Sequence, residues 1–311
     1  MTFDTLFEIF IAEKETGVRP GSLATMTQGW LSLARYVGGA EIEAFGREQA
    51  RSLMARLLGE GLAVKTVKDR MTLLRQMLRY ASAELECELR STDWGLKYPP
   101  AEPRRLKSYS AADMTRLVRG AVRELESGSA AGVPALMALF TGMRLGEVCG
   151  LRWGDIDFSQ GTVTVRRQAV YVYDPTARRC FATLSAPKTR SGYREIPLLP
   201  ALRQVLRVHG GRHPEPESYV ITNKATPAVP RAVREQYGRF VARCGVPAIN
   251  FHGLRHTYAT RLVEAGGDVK TIAVILGHAD VTTTLNLYVH PSADVKRKLA
   301  RKAFGQLGPL F

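Results

Sequence analysis

Three prolines, Pro99, Pro100 and Pro103, interrupt this chain of 311 residues about a third of the way along. Each proline locks its own φ, lacks a backbone N–H and pushes the residue before it out of helical geometry. Regular structure cannot run through such a stretch. Arg104, Arg105 and Lys107 follow directly. Prolines among polar and basic residues read as an extended connector, and its positive charge suits it to cross a phosphate backbone. The chain therefore divides into an N-terminal domain over residues 1–95, a linker over 96–109 and a larger C-terminal domain over 110–311. Ser110-Ala111-Ala112-Asp113 opens the last of these with the S-x-x-D spacing of a helix start.

The first domain reads as helical. Val64, Val67, Met71, Leu74 and Leu78 recur at intervals of three and four, which lines one side of a helix with apolar groups. Lys65, Lys68, Arg75 and Arg79 fall on the neighbouring face. A basic face beside a buried one suits a helix lying against DNA, and it equally fits an ordinary solvated face. Residues 22–37 and 46–59 read as further amphipathic helices. The second domain is mixed. Helical segments surround Leu136 and Leu145; strands are expected at Thr162–Arg167, Phe181–Ser185 and Tyr193–Leu198; helices return from about residue 230. Lys188-Thr189-Arg190-Ser191-Gly192 has the composition of a turn, which places Lys188 and Arg190 at a hairpin tip.

Charge narrows the class of partner. The formal net charge is +15, and 45% of residues are hydrophobic, so the chain folds around a core and presents a basic surface. Up to Lys107 there are 16 basic and 14 acidic residues; beyond it there are 28 and 15. The larger domain therefore carries most of the attraction for a polyanion, with nucleic acid the first candidate. Charge alone also fits a basic protein with no such partner. Cys87, Cys149, Cys180 and Cys244 are scattered without a C-x-x-C pair, which fits a reducing cytoplasm and suggests neither zinc nor redox chemistry. No signal peptide and no apolar run long enough to span a membrane is visible.

Cutting a phosphodiester without a metal requires a nucleophile in line with the leaving oxygen, several cationic donors around the phosphate, and an acid for the leaving alkoxide. Three separated segments carry that set. The first, Thr141-Gly142-Met143-Arg144-Leu145-Gly146-Glu147, puts an arginine at a turn into a helix, with a carboxylate three residues on. The planar fork of Arg144 suits two phosphate oxygens; by itself the pair also fits a common surface Arg–Glu contact. The second segment is the turn at Lys188, whose amine could act as a mobile acid, or be a solvated turn lysine. The third begins Phe251-His252-Gly253-Leu254-Arg255-His256, where His252 and Arg255 share a helical face, and continues through Leu276-Gly277-His278 to Tyr288, ten residues further on. His252 and His256 also stand at zinc-ligand spacing, but no glutamate base lies between them and an arginine occupies the same face, so no metal is expected. His256 and Trp153 read as packing residues, and no P-loop is present, so no nucleotide cofactor is expected.

These segments resemble the catalytic boxes of the tyrosine recombinases, the phage integrase family: T-G-x-R-x-x-E-x-x-x-L-x-W-x-D-I-D, H-x-L-R-H-T-x-A-T, and L-G-H followed by tyrosine, in the family's order and with Lys188 between the first two. The resemblance is close over about 108–295 and looser over 1–90. It implies a mainly α fold with a small antiparallel β-sheet, made of a helical core-binding domain and a mixed α+β catalytic domain. Tyr288 would attack the phosphate to give a 3′-phosphotyrosine, Lys188 would protonate the leaving 5′-oxygen, and Arg144 and Arg255 would clamp the non-bridging oxygens. His252 would assist the tyrosine's proton transfer, His278 would hydrogen-bond the phosphate, and Glu147 would orient an arginine or histidine. Neither ATP nor another cofactor is implied. Met143 and Tyr258 depart from the usual leucine and phenylalanine without touching this chemistry.

The resemblance further implies double-stranded DNA with specific sites as partner, a homo-tetramer on DNA, and a cytoplasmic protein of prokaryotic, phage or mobile-element origin. The tail after Tyr288, with Lys296, Arg297, Lys298, Arg301 and Lys302 among apolar residues, is expected either to dock on a neighbouring protomer or to cap its own domain. Two alternatives remain in view: a type IB topoisomerase, which shares the nucleophile and cations, and a non-catalytic DNA-binding regulator.

Overall fold

The computed structural model describes residues 1–100, 107–174, 179–187 and 189–285. Arg104, Arg105, Lys188, Tyr288, His290 and the basic tail lie outside the described residues. The chain divides into two compact units, one comprising 1–104 with 171–181 and the other 105–170 with 182–311. No helix among the described residues is long and apolar enough to cross a membrane.

The first unit is built on four helices: α1 (Phe3–Gly17), α2 (Pro20–Val37), α3 (Arg47–Gly59) and α4 (Val64–Glu84). The Thr2 side chain caps α1 by accepting from the Thr5 amide, and Pro20 starts α2, where its missing N–H is no loss. α4 buries Val67, Met71, Leu73, Leu74, Met77, Leu78 and Ala81, a broader stripe than strict spacing suggests because α1, α2 and α3 all pack on it. Aromatic rings fill the core: Phe7 stacks on Trp30 with centroids 5.0 Å apart, and Phe45 meets Trp94 edge-on at 5.6 Å. Trp94 is fully buried, and Leu96 and Tyr98 pack on the same core. The start of the expected linker is therefore taken up by the first unit.

The far end of that stretch belongs to the second unit. Tyr109 is fully buried; its amide donates to Thr257 Oγ1 at 2.9 Å and its hydroxyl lies 3.0 Å from that of Tyr237. Ser110 and Asp113 then form a reciprocal capping box that starts α5 (Ala111–Glu126). Behind it α6 (Val133–Thr141) is apolar on nearly every side, and such a helix must be covered all round. α5, α7 (Leu145–Gly150), α8 (Pro200–Gly210), α9 (Pro230–Arg243) and α10 (His252–Glu264) surround it. α11 (Val269–Leu276) and the short α12 (Thr282–Leu285) follow α10.

The chain also forms two small sheets. β1 (Ile156–Asp157), β2 (Thr162–Val165) and β5 (Arg194–Pro197) form one antiparallel sheet, and β3 (Gln168–Asp174) pairs with β4 (Arg179–Ser185) in the other. This corrects the expected hairpin around Lys188, because its flanking strands, β4 and β5, lie in different sheets. The reason is burial. β5 alternates buried and exposed residues, and its register on β2 sets Val163 opposite Ile196, both fully buried. That pairing removes apolar surface that a β4–β5 hairpin would leave exposed. Residues 186–193 are thus a connection between sheets, containing a 3-10 turn at Arg190–Gly192.

Candidate active site

Two helix ends create the site. α6 ends at Gly142 and α11 at Gly277, both in the left-handed region with φ of 66° and 67°. Glycine is favoured there because a side chain would be strained. The neighbours forbid one as well, since a Cβ on Gly142 would come within 2.6 Å of the Tyr258 ring and one on Gly277 within 2.8 Å of the Ser191 carbonyl. The two turned-out carbonyls then each hold an arginine. Gly142 O accepts from Arg255 Nη1 at 2.8 Å, and Gly277 O accepts from Arg144 Nη2 at 3.2 Å. The glycines of the T-G-x-R and L-G-H segments thereby aim the cations of the site. Thr141 secures the first turn, donating to Met137 O and accepting from the Met143 amide.

Glu147 lies between two guanidiniums. Its Oε2 accepts from the Arg144 amide at 2.8 Å and its Oε1 from Arg144 Nη1 at 2.9 Å, so it caps α7 while holding the arginine side chain. On its other side Arg194 forms a two-pronged pair with the same carboxylate, at 3.1 and 2.7 Å. Burial works to raise the Glu147 carboxyl, but the hydrogen bonds and charge of Arg194, then those of Arg144, outweigh it and hold it below its usual range. Arg194 also donates to Ile275 O at 2.8 Å and Gly192 O at 3.1 Å. It therefore ties α7, the end of α11 and the turn after Lys188 into one body. Arg194 was missed as a site residue, although the signal was present: it falls on the same face of β5 as Ile196, an arginine at an inward position of an alternating strand.

Arg255 is almost fully buried, with one N–H group on Gly142 O, while Nη2 has no hydrogen-bond partner among the described residues. Burial, followed by the charges of Arg144 and Arg194, lowers its pKa to about 9, still well above neutrality. Three cations thus converge around one carboxylate, with a buried donor to spare. The two expected histidines join them. Partial desolvation, then His256, Arg255 and Arg144, bring His252 down to about 4, although its outer edge is open to solvent. Desolvation, followed by Arg255, Arg144, Arg194 and His252, brings His278 down to about 4 as well. Both rings are consequently neutral at physiological pH. His256 packs edge-on against His252 at 4.7 Å, and no group of three or more metal-ligand side chains occurs among the described residues.

Of the expected catalytic set, Arg144, His252, Arg255 and His278 come together with Glu147, while Lys188 and Tyr288 lie outside the described residues. The rest of the first box packs. Trp153 is buried and donates to Asn223 Oδ1 at 2.8 Å, and Asp155 accepts from the Arg152 amide and from Arg167. The expected DNA-facing residues separate. Lys65 pairs with Asp69 on the open face of α4, and Lys68 lies 5.1 Å over the Tyr98 ring. Arg75 covers the Trp94 ring at 5.2 Å and donates to Thr92 O, so part of its side chain serves the core. Arg79, Lys107 and Arg190 are exposed.

The family model described as the phage integrase family matches residues 123–294. A tyrosine recombinase XerC-like protein of Caldanaerobacter subterraneus subsp. tengcongensis is 27% identical over 81% of this chain and 69% of its own length. Tyrosine recombinase XerC of Xylella fastidiosa is 28% identical over 80% and 78%. In fold, the chain is similar to the Tn1549 transposon integrase in complex with transposon right end DNA, with TM-score 0.75, 20% identity, and coverage of 97% of this chain and 99% of that one. It is also similar to a lambda integrase dimer bound to a COC′ core site, with TM-score 0.65, 18% identity, and coverage of 94% and 97%. The family match, over a chain that brings arginines and histidines together in one pocket, defines a DNA strand-exchange enzyme. The chain belongs to the phage integrase family, the tyrosine recombinases, whose members are site-specific DNA recombinases.

Proposed function

We propose that this recombinase cuts and rejoins double-stranded DNA at specific sites through Tyr288, for integration, excision, inversion or resolution of a DNA element. The phenol oxygen attacks the scissile phosphorus, a phosphotyrosine bond to the 3′ side forms, and the bond to the 5′-oxygen breaks. His252, neutral at working pH, accepts the phenol proton, and Lys188 supplies the proton that the departing 5′-oxygen takes up. Arg144, Arg255 and His278 hold the non-bridging oxygens as negative charge moves onto them. The reverse attack by a 5′-hydroxyl reseals the strand, so bond energy is kept in the phosphotyrosine. Residues 1–95 act as the helical clamp on DNA and 110–311 as the catalytic domain, joined through 96–109. Four copies assemble on two sites, linked by exchange of their C-terminal tails, in a cytoplasmic setting.

The observation that carries this reading is the charge imbalance of the pocket: two guanidiniums share one carboxylate, and Nη2 of a third, that of the buried Arg255, has no hydrogen-bond partner among the described residues. A buried unpaired cation is costly unless an anion completes it. The tetrahedral phosphate of DNA has the oxygens to do so. The test is a duplex nicked beside the cut site, which traps the covalent intermediate. Native flanking DNA is screened first by sequencing the points of protein attachment. A covalent adduct that disappears in Tyr288→Phe is expected. Failure of the wild-type chain to form an adduct on any native DNA would overturn the proposal.

A further inference from the structure

His278 has a partner outside the cation cluster. Its Nδ1 lies 2.7 Å from the hydroxyl oxygen of Thr284 on α12, and Thr284 is fully buried. Threonines elsewhere in the helices use their hydroxyls differently. Thr25, Thr27, Thr115, Thr141 and Thr257 each donate to the carbonyl four residues back, the usual outlet for a helical hydroxyl. For Thr284 that position is Asp280, ahead of the helix, and among the described residues its hydroxyl has His278 as its one hydrogen-bond partner.

We propose that the buried Thr284 hydroxyl donates its proton to Nδ1 of His278, fixing the ring in the tautomer that carries its own proton on Nε2, so that Thr284 is a positioning residue for the phosphate contact. The argument is one of proton matching. A neutral imidazole has one N–H and one acceptor nitrogen. If Nδ1 carried the proton, it would donate to the hydroxyl oxygen, and the hydroxyl's own proton would be left buried and unmatched, which costs more than a bond fewer in water. With Nδ1 as acceptor both groups are satisfied, and the remaining N–H is the kind of donor a phosphate oxygen needs. The neutrality of the ring, imposed by burial and the arginines, is what makes the choice of tautomer matter. Thr284 also stands four positions before Tyr288 in the sequence, so the residue that sets the histidine lies on the segment leading to the nucleophile.

This inference rests on the reading of His278 as a phosphate ligand, and the experiment separates the two. Thr284→Val keeps the volume and removes the hydroxyl; Thr284→Ser keeps the hydroxyl. In the full-length protein labelled with nitrogen-15 histidine, the His278 signals are assigned by their loss in His278→Asn. The wild type and Thr284→Ser should show Nε2 protonated and Nδ1 accepting, and Thr284→Val should populate the other tautomer. On the nicked duplex, Thr284→Val should form the adduct roughly 10–100-fold more slowly, the scale on which a partner that orients a functional histidine acts. Thr284→Ser should stay close to wild type. A wild-type ring protonated on Nδ1, a tautomer unchanged in Thr284→Val, or a serine variant as slow as the valine one would each overturn the proposal. A wild type that makes no adduct overturns the phosphate role together with the recombinase reading, while the nitrogen signals still report whether Thr284 sets the ring.

Discussion

The two units of this molecule bury different things. Apart from its aromatic residues, the first unit buries one polar side chain among its described residues, Thr27, and its core is otherwise Phe, Trp, Leu, Ile, Val, Met and Ala. The second unit buries Glu147, Arg194, Arg255, Thr257, Thr284, Asp113 and Asp155. Apolar packing stabilises a fold at no desolvation cost, whereas each buried charge must recover the water it gave up. Asp113 and Asp155 recover it as helix caps, whereas Glu147, Arg194 and Arg255 lie together in the candidate site.

The largest test of that contrast is Glu147→Gln. Removing one partner of a buried ion pair leaves Arg194 and Arg144 uncompensated, and the expected loss is about 3–5 kcal/mol. Hydrogen exchange should show it in the amides of α7 and β5 while those of α4 are unchanged; equal loosening of α4 would break the contrast. Next, Arg255→Ala or Arg144→Ala should abolish cleavage, costing about 2.7–4 kcal/mol of transition-state stabilisation, with DNA affinity largely kept. Either variant recombining at the wild-type rate would remove that arginine from the proposed clamp.

Acid should weaken the second unit first. His252 and His278 have folded pKa values near 4, below the ordinary value of 6.5. The unfolded chain therefore takes up protons first as pH falls, so the stability they contribute is present above about pH 6.5 and is lost as pH drops towards 4. Every histidine lies beyond residue 208, so thermal unfolding at pH 7 and pH 5 should differ for the second unit, and His278→Gln should reduce the difference. The smallest effects separate two basic residues of α4. Arg75→Ala should cost about 1 kcal/mol of stability, because it loses a ring contact and a hydrogen bond. Lys65→Ala should leave stability nearly unchanged and reduce the salt dependence of DNA binding by about one counterion. If the two behave alike, the open face of α4 is not a DNA surface.

Much of this was legible in the sequence because the informative residues are local. Ser110 and Asp113 make their cap within one helical turn, Arg144 and Glu147 share another, and the stripe of α4 repeats at helical intervals. Contacts set by distant parts of the chain were not legible. Arg194 reaches Glu147 across 47 positions, and nothing beside it in sequence announces that partner. The choice of β2 over β4 as the partner of β5 depends on which pair buries more, a comparison that spacing cannot make. Trp94 and Tyr109 flank a proline-rich stretch, and each plugs a core. Glu147 read as orienting an arginine or histidine, whereas it pairs with two arginines.

That double service has a practical use. The amide proton of Arg144 is held by the carboxylate that also neutralises Arg194, so it cannot reach solvent unless this junction comes apart. Its exchange lifetime is thus a built-in gauge of how often the reaction centre disassembles, readable in one peptide without DNA, substrate or label. Variants made to accept new target sequences could be ranked by it before a single strand is cut.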